Sequence, residues 1–281
     1  MRCTIRIGEL RLPMWALDIV SNCGKWLQMA VSPVYSIHQY REDFFKVVAF
    51  KGQRDPDIVF LRDKENQQVN DNKLKNNISR ARSMVLQYAL CNPWDFFFTG
   101  TLAKTKYDRF NLDVFSSSLT QFMRDQRKKW DAAIQYLLVP EHHQNGAWHI
   151  HGLVNGLPHE ALGSFSDLEK APLHLIEGGF SNWPDYMKKF GFCSMAPVRD
   201  PVATAFYITK YISKDLSERA ADLHRHLYFH SRPLKKAKRA ADVYAYNRQL
   251  DTLCTEDFEF VKTGWAEGEP YDWRWICNLD Y

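Results

Sequence analysis

Two short apolar segments flank Asn145-Gly146, and this feature constrains the fold more than any other in the chain. Asn-Gly between β-prone segments is the strongest short-range signal for a β-hairpin. We therefore predict antiparallel strands at 134–143 and 148–154. A plain two-residue turn would pair residue 142 with residue 149, whereas a three-residue turn with a bulge would pair residue 141 with residue 149. We favour the bulged register.

The predicted hairpin carries two histidines and a carboxylate that suit metal binding. His149 and His151 are separated by one residue, so both imidazoles leave the same face of their strand. In the bulged register Glu141 lies opposite His149 and shares that face. Two imidazoles and a carboxylate with open coordination positions suit Mg²⁺ or Mn²⁺ acting as a Lewis acid on a phosphate. The alternative is that these histidines, like His142 and His143, are only partly exposed surface residues.

The segments around the hairpin predict further strands and helices. Aromatic and β-branched residues at 94–102 predict a strand, as do those at 192–198. Apolar residues at three- and four-residue steps predict amphipathic helices at 70–89 and 114–129. Asp200-Pro201 is typical of a helix start, with a capping side chain and a proline in the first turn.

The helix that follows Asp200 is predicted to carry a stripe of tyrosine and lysine. The stripe consists of Tyr207, Lys210, Tyr211 and Lys214. At about 100° per residue these four side chains fall within roughly 80° of arc. A tyrosine can act as a covalent nucleophile, but its phenol has a pKa near 10 and needs help at neutral pH, which a lysine one turn away can give. Packing against the core is the alternative role.

A basic run near the end of this region indicates contact with DNA phosphates. Lys plus Arg exceed Asp plus Glu only by 37 to 33, so net charge alone is weak evidence for nucleic acid. The densest cluster of positive charge is Arg232, Lys235, Lys236, Lys238 and Arg239. We predict that this run holds backbone phosphates in a salt-dependent way. A solvated helix face is the alternative.

Three segments resemble the motifs of the HUH endonucleases, in particular the rolling-circle replication initiators of phages, plasmids and single-stranded DNA viruses. Phe-Phe-Phe-Thr-Gly-Thr-Leu at 96–102 resembles their first motif, and His149-Ile150-His151 is similar to their metal-binding motif. Tyr-Ile-Thr-Lys-Tyr-Ile-Ser-Lys at 207–214 resembles the two-tyrosine version of their third motif. The resemblance covers roughly residues 74–239.

The resemblance implies both a fold and a reaction. The fold is α+β, with a central antiparallel sheet of about five strands and flanking helices, similar to the RNA-recognition motif. The reaction is nicking of single-stranded DNA, in which a tyrosine attacks a phosphodiester, keeps the 5′ phosphate as an ester and releases a 3′ hydroxyl.

The resemblance also implies roles for individual residues. Glu141 is favoured over His143 as the third metal ligand beside His149 and His151. The pattern Lys-Tyr-x-x-Lys falls on Lys210, Tyr211 and Lys214, so Tyr211 is the first choice of nucleophile and Tyr207 the second. If both tyrosines react, they alternate between initiation and termination.

The resemblance leaves both ends of the chain unassigned. We expect a β-rich N-terminal extension at 1–65, a nicking domain at 66–240 and a C-terminal extension at 241–281, with both extensions of unknown role. The expected substrates are single-stranded DNA and origin DNA. Since no G-x-x-x-x-G-K-[ST] phosphate loop occurs, a host helicase and polymerase are expected partners.

Scattered cysteines and the lack of a long apolar run predict a cytoplasmic protein of a bacterial host, without membrane contact. Other interpretations of the motifs stay open. A transposase or a relaxase would use the same chemistry. A non-catalytic origin binder or repressor would keep the fold without turnover, and an RNA-binding module would share only the topology.

Overall fold

The computed structural model describes residues 5–7, 10–12, 33–51, 66–143, 146–212, 227–258 and 261–268, and their side chains except in 5–7, 10–12 and 66–75. The chain divides into two compact units. The central unit is formed by residues 62–237. The terminal unit is formed by residues 1–61 together with residues 238–281.

Strands and helices alternate along the described chain. The strands are β1 Ile5–Ile7, β2 Leu10–Leu12, β3 Tyr35–Arg41, β4 Phe44–Phe50, β5 Phe96–Thr101, β6 Gln135–His142, β7 Trp148–Asn155, β8 Gly163–Ser164, β9 Ser181–Asn182, β10 Cys193–Pro197, β11 Phe229–His230, β12 Lys238–Val243, β13 Glu256–Asp257 and β14 Val261–Glu267. The α-helices are α1 Asn66–Cys91, α2 Leu112–Trp130, α3 Leu173–Glu177, α4 Pro184–Lys189, α5 Pro201–Thr209 and α6 Arg248–Leu253. None of these described helices combines the length and the apolar character needed to cross a membrane.

The central unit is built on one antiparallel sheet. Its described strands lie in the order β11-β6-β7-β5-β10-β9-β8. Strands β5, β6, β7 and β10 are five to eight residues long, and the remaining three have two residues each. With helices packed on this sheet, the predicted α+β class with a central antiparallel sheet is confirmed.

The helix α2 shows why the predicted helices form. The Asn111 side chain caps its first turn by accepting hydrogen bonds from the backbone N–H groups of Asp113 and Val114. Three basic residues in its last turn, 127–129, complement the negative end of the helix dipole. The helix ends at Asp131, which adopts the left-handed conformation with φ 47°.

The two faces of the central sheet have different functions. Phe98 points to one face, where its ring contacts those of Trp183 and Tyr186 within a buried aromatic core under α2. Since neighbouring residues of a strand point to opposite faces, Phe97 points to the other face, where it contacts Tyr207. One face therefore forms the core, and the opposite face carries the predicted site.

The terminal unit joins the two ends of the chain in one sheet. Strands β1 and β2 pair with each other, and the larger sheet has the order β12-β3-β4-β14-β13. The core on this sheet comprises Tyr35, Ile37, Phe45, Val47, Ala49, Leu250 and Cys254. The sequence analysis treated 1–65 and 241–281 as separate extensions and did not foresee this pairing. The roles of both segments stay unassigned.

Gly152 in the middle of β7 offers a test of the central sheet. It pairs with Phe98 on one side and Leu138 on the other. A Cβ there would collide with the Leu138 side chain and with the carbonyl oxygen of Leu137. Because the backbone cannot move without breaking the β6–β7 ladder, we expect Gly152→Ala to lower the free energy of unfolding by about 3 kcal/mol. Urea unfolding followed by circular dichroism measures this change.

The matched control is Gly179→Ala. At Gly179 the backbone has φ 70°, and an added Cβ would meet nothing within 4 Å. That substitution should cost only the backbone strain, about 1 kcal/mol. A smaller loss for Gly152→Ala than for the control would contradict the close approach of β6 and β7.

Candidate functional site

The hairpin of β6 and β7 has the register that places Glu141 beside the histidines. Glu141 pairs with His149 in the antiparallel ladder. The backbone N–H of His143 donates to the carbonyl of Ala147 (2.9 Å), which leaves three residues in the turn, and Gly146 has φ 81°. The predicted bulged register is therefore confirmed. Gln144 and Asn145 lie outside the described residues.

His151 is the best fixed side chain of the site. It is 8% exposed, and its two ring nitrogens each have a partner. Nε2 lies 2.8 Å from Oε2 of Glu141, and Nδ1 lies 3.2 Å from Oγ1 of Thr99. Burial lowers the pKa of His151, although the Glu141 carboxylate acts in the opposite direction. A neutral imidazole is the form that binds a metal ion.

His149 lies on the same face, one pleat nearer the turn. Its ring stacks on that of His143, with ring centroids 4.8 Å apart and planes at 14°. Burial lowers the pKa of His149, and the nearby His143 and Arg109 lower it further, while Glu141 raises it. His142, in contrast, packs its ring against Trp148, so of these two neighbours only His143 stands next to a predicted ligand.

The donor set on this face fits a divalent ion by its chemistry. Glu141, His149 and His151 share one sheet face, and Thr99 holds the second ring nitrogen of His151 as outer-shell groups do at metal sites. Across the described parts of the chain, no three His, Cys, Asp or Glu side chains already surround one point that an ion would fill. Instead, Nε2 of His151 and Oε2 of Glu141 bond to each other. The binding of Mg²⁺ or Mn²⁺ stays a prediction.

The tyrosine segment begins as predicted but leaves the α-helix early. Asp200 caps α5 by accepting a hydrogen bond from the N–H of Ala203 (2.9 Å). The helix was predicted to carry the whole stripe, yet α5 ends at Thr209. Residues 210–212 continue in tight turns with bonds to the third residue before each. Lys214 lies outside the described residues.

These turns bring Tyr211 onto the histidine. The ring of Tyr211 stacks on that of His151, with centroids 4.0 Å apart and planes at 8°. Tyr211 is 7% exposed, and its O–H donates to the phenol oxygen of Tyr207 at 3.2 Å. The ammonium of Lys210 lies 3.5 Å from the ring centroid of Tyr207 and 4.9 Å from that of Tyr211. The structure therefore joins the tyrosines to the predicted metal ligands.

The two phenols have opposite electrostatic environments. Tyr207 is 48% exposed. A hydrogen bond with Lys210, and secondly the one from Tyr211, lower the pKa of Tyr207. Burial, and secondly its hydrogen bond to Tyr207, raise the pKa of Tyr211 far above its usual range. Tyr207 is therefore the phenol that ionises more readily and that solvent reaches.

Sequence reasoning missed three contributors to the site. Thr99 bonds to His151, and Phe97 contacts both tyrosine rings and His151. Both lie on the same face of β5 as residue 101, so strand alternation next to the first motif was the available signal. Arg82 of α1 donates from Nε to the carbonyl of Ile212 (2.9 Å), and nothing in the local sequence indicates this long-range anchor.

The basic run is exposed, and it is extended instead of helical. Arg232, Lys235 and Lys236 belong to the central unit, whereas Lys238 and Arg239 lie on β12 of the terminal unit. Within the central unit, the side chain of Asn92 holds Lys235 through its backbone N–H (2.9 Å) and carbonyl (3.0 Å). A solvated helix face does not describe this run, and DNA binding by it stays a prediction.

Residues 95–216 match the profile of one protein family, described as a replication-associated protein of the ORF2 type. The matched segment is less than half of the chain and includes the hairpin, the strand β5 and the helix α5 with both tyrosines. The match supports the predicted relationship to replication initiators and a role in DNA replication. No curated protein and no solved structure matches the chain.

Proposed function

We propose that the protein initiates rolling-circle DNA replication as an HUH endonuclease, nicking single-stranded DNA through a tyrosine ester. One observation carries the proposal. Tyr207, Tyr211, His151 and Glu141 form an unbroken series of contacts on one sheet face. A pure binding protein has no use for an ionisable phenol next to a set of metal-binding donors, which disfavours the non-catalytic origin binder.

The chain's own residues account for most of the nicking step. A divalent ion held by Glu141, His149 and His151 would polarise the scissile phosphate. Lys210 favours the phenolate of Tyr207 and offers positive charge to the phosphate during transfer. The Tyr207 oxygen forms a bond to phosphorus, the bond from phosphorus to the 3′ oxygen breaks, and that oxygen takes a proton from solvent. The 5′ phosphate stays on the tyrosine.

The structure supports Tyr207 as the first nucleophile, although the sequence motif ranks Tyr211 first. Attack needs an accessible, ionisable oxygen, and Tyr207 is exposed with a lowered pKa. Tyr211 is buried with a raised pKa, and it donates its proton to Tyr207. Tyr211 then stands beside the ester formed on Tyr207, where it can attack in a second transfer.

The proposed substrate is single-stranded DNA at the origin. Arg232, Lys235 and Lys236 of the central unit are exposed and would hold phosphates, with an affinity that falls as salt rises. Lys238 and Arg239 would add contacts from the terminal unit. A host helicase and polymerase are proposed partners in replication.

A covalent adduct assay tests the proposal. Labelled single-stranded oligonucleotides covering the DNA around the protein's own gene are incubated with the protein in Mn²⁺ or in EDTA, then run on a denaturing gel. We expect an adduct in Mn²⁺, none in EDTA, and none for the double variant Tyr207→Phe/Tyr211→Phe. Binding without cleavage or adduct anywhere in the region would contradict the proposal and favour an origin-binding protein.

A further inference from the structure

The segment Arg109-Phe110, just before α2, is fixed against the metal-binding hairpin. The backbone N–H of Trp148 donates to the carbonyl of Arg109 (2.9 Å), and the indole N–H of Trp148 donates to the carbonyl of Phe110 (3.2 Å). The Phe110 ring lies so close to the turn that a Cβ on Gly146 would be 3.3 Å from it. This segment therefore has a set position at the turn end of β7.

The side chains of this segment have the properties of a single-stranded DNA contact. Phe110 is 58% exposed, which is unusual for a phenylalanine in a fixed position. The guanidinium of Arg109 lies 5.2 Å from the centroid of its ring. An aromatic face beside a positive charge is how proteins hold one base and its phosphate without reading sequence. The function proposed above assigns no role to either residue.

The direction of the displacement decides which nucleotide reaches Phe110. In phosphoryl transfer the attacking and leaving oxygens are roughly in line, on opposite sides of phosphorus. The tyrosines lie on the His151 side of the site, because Tyr211 stacks on that ring. Arg109 lies on the His149 side, where its charge acts on that imidazole. The leaving 3′ oxygen therefore points toward Arg109.

We propose that Phe110 and Arg109 form a binding subsite for the nucleotide on the 5′ side of the nick, the one that leaves with the 3′ hydroxyl. Its base stacks on Phe110, and a phosphate of its strand contacts Arg109. This subsite would hold the released end close to the ester so that it can be rejoined. The inference rests on the proposed nicking function for its polarity, and on the geometry of the segment for the contact itself.

Binding in EDTA tests the contact without requiring any nick. Fluorescence anisotropy with a labelled oligo-dT is measured for the wild type, Phe110→Ala, Phe110→Trp and Leu173→Ala. Leu173 is 72% exposed on α3 and serves as the control for losing an exposed apolar side chain. We expect Phe110→Ala to bind about tenfold more weakly, as for the loss of one stacked base, with Phe110→Trp and the control unchanged. Equal binding by Phe110→Ala would overturn the subsite, whether or not the protein nicks DNA.

An abasic substitution tests the polarity once the nick is mapped. An abasic site immediately 5′ of the nick should weaken binding by the wild type about tenfold and have no further effect on Phe110→Ala, because the stacking partner is already lost. An abasic site immediately 3′ of the nick should weaken both proteins equally. The opposite pattern would overturn the assignment to the 5′ side. If no nicking occurs but Phe110→Ala loses oligo-dT binding, the contact stands and the proposed function fails.

Discussion

Glu141→Gln should reduce the rate of adduct formation in Mn²⁺ by at least about 100-fold. The amide keeps the size of the side chain and a hydrogen-bonding partner for Nε2 of His151, but it removes the negative charge from the proposed ligand set. Lewis-acid assistance contributes several kcal/mol to such reactions, and each 1.4 kcal/mol or so is a factor of ten in rate. Single-turnover assays on denaturing gels measure the rate.

Glu160→Gln is the matched control for this substitution. Glu160 is an exposed carboxylate of the same unit, in a short 3₁₀ turn, and makes no contact with the site residues described above. It should leave adduct formation unchanged. Thermal unfolding of both variants should match the wild type, so that a loss of rate reports the site and not the fold. Normal adduct formation by Glu141→Gln would remove Glu141 from the ligand set.

Tyr207→Phe should suppress formation of the first adduct by at least about 1000-fold, whereas Tyr211→Phe should slow it by only about tenfold. The first change removes the proposed nucleophile. The second removes one hydrogen bond to its phenolate, and a hydrogen bond to a charged group contributes about 1.5–3 kcal/mol. Peptide mapping of the wild-type adduct should place the nucleotide on Tyr207. Loss of the adduct only with Tyr211→Phe would reverse the assignment.

The pH dependence separates an electrostatic role of Lys210 from a structural one. The rate should rise with pH as Tyr207 ionises and level off above its pKa, which Lys210 and Tyr211 lower. Lys210→Met keeps the length of the side chain but loses its charge, so the profile should shift to higher pH. A lower rate with an unshifted profile would show that Lys210 only packs against the tyrosine rings.

Local signals in the sequence predicted the hairpin and its register correctly. Asn145-Gly146 marks the turn, and the strand period places His149 and His151 on one face whatever the rest of the chain does. Even the bulged register, with Glu141 opposite His149, followed from the lengths that such turns allow. These features depend on a few neighbouring residues, which is why the sequence was sufficient.

Tertiary packing decided what the sequence did not predict. The helical period places Tyr207 and Tyr211 on one side, but it does not show that α5 ends at Thr209 so that Tyr211 can stack on His151. The same packing buries Tyr211 and leaves Tyr207 exposed, and this difference changes the order of the nucleophiles. Strand alternation likewise cannot show that β4 pairs with β14, because their partners are far apart in the chain.

The pairing of both chain ends in the terminal unit has a consequence during synthesis. Strand β4 ends at Phe50, but its partner β14 begins only at Val261. At about 5–20 residues per second, a ribosome needs on the order of 10–40 s to make the chain between them. The central unit is complete well before then. The β3–β4 hairpin must therefore wait with one edge unpaired on the nascent chain, where chaperones can bind it, while the proposed nicking unit is already able to fold.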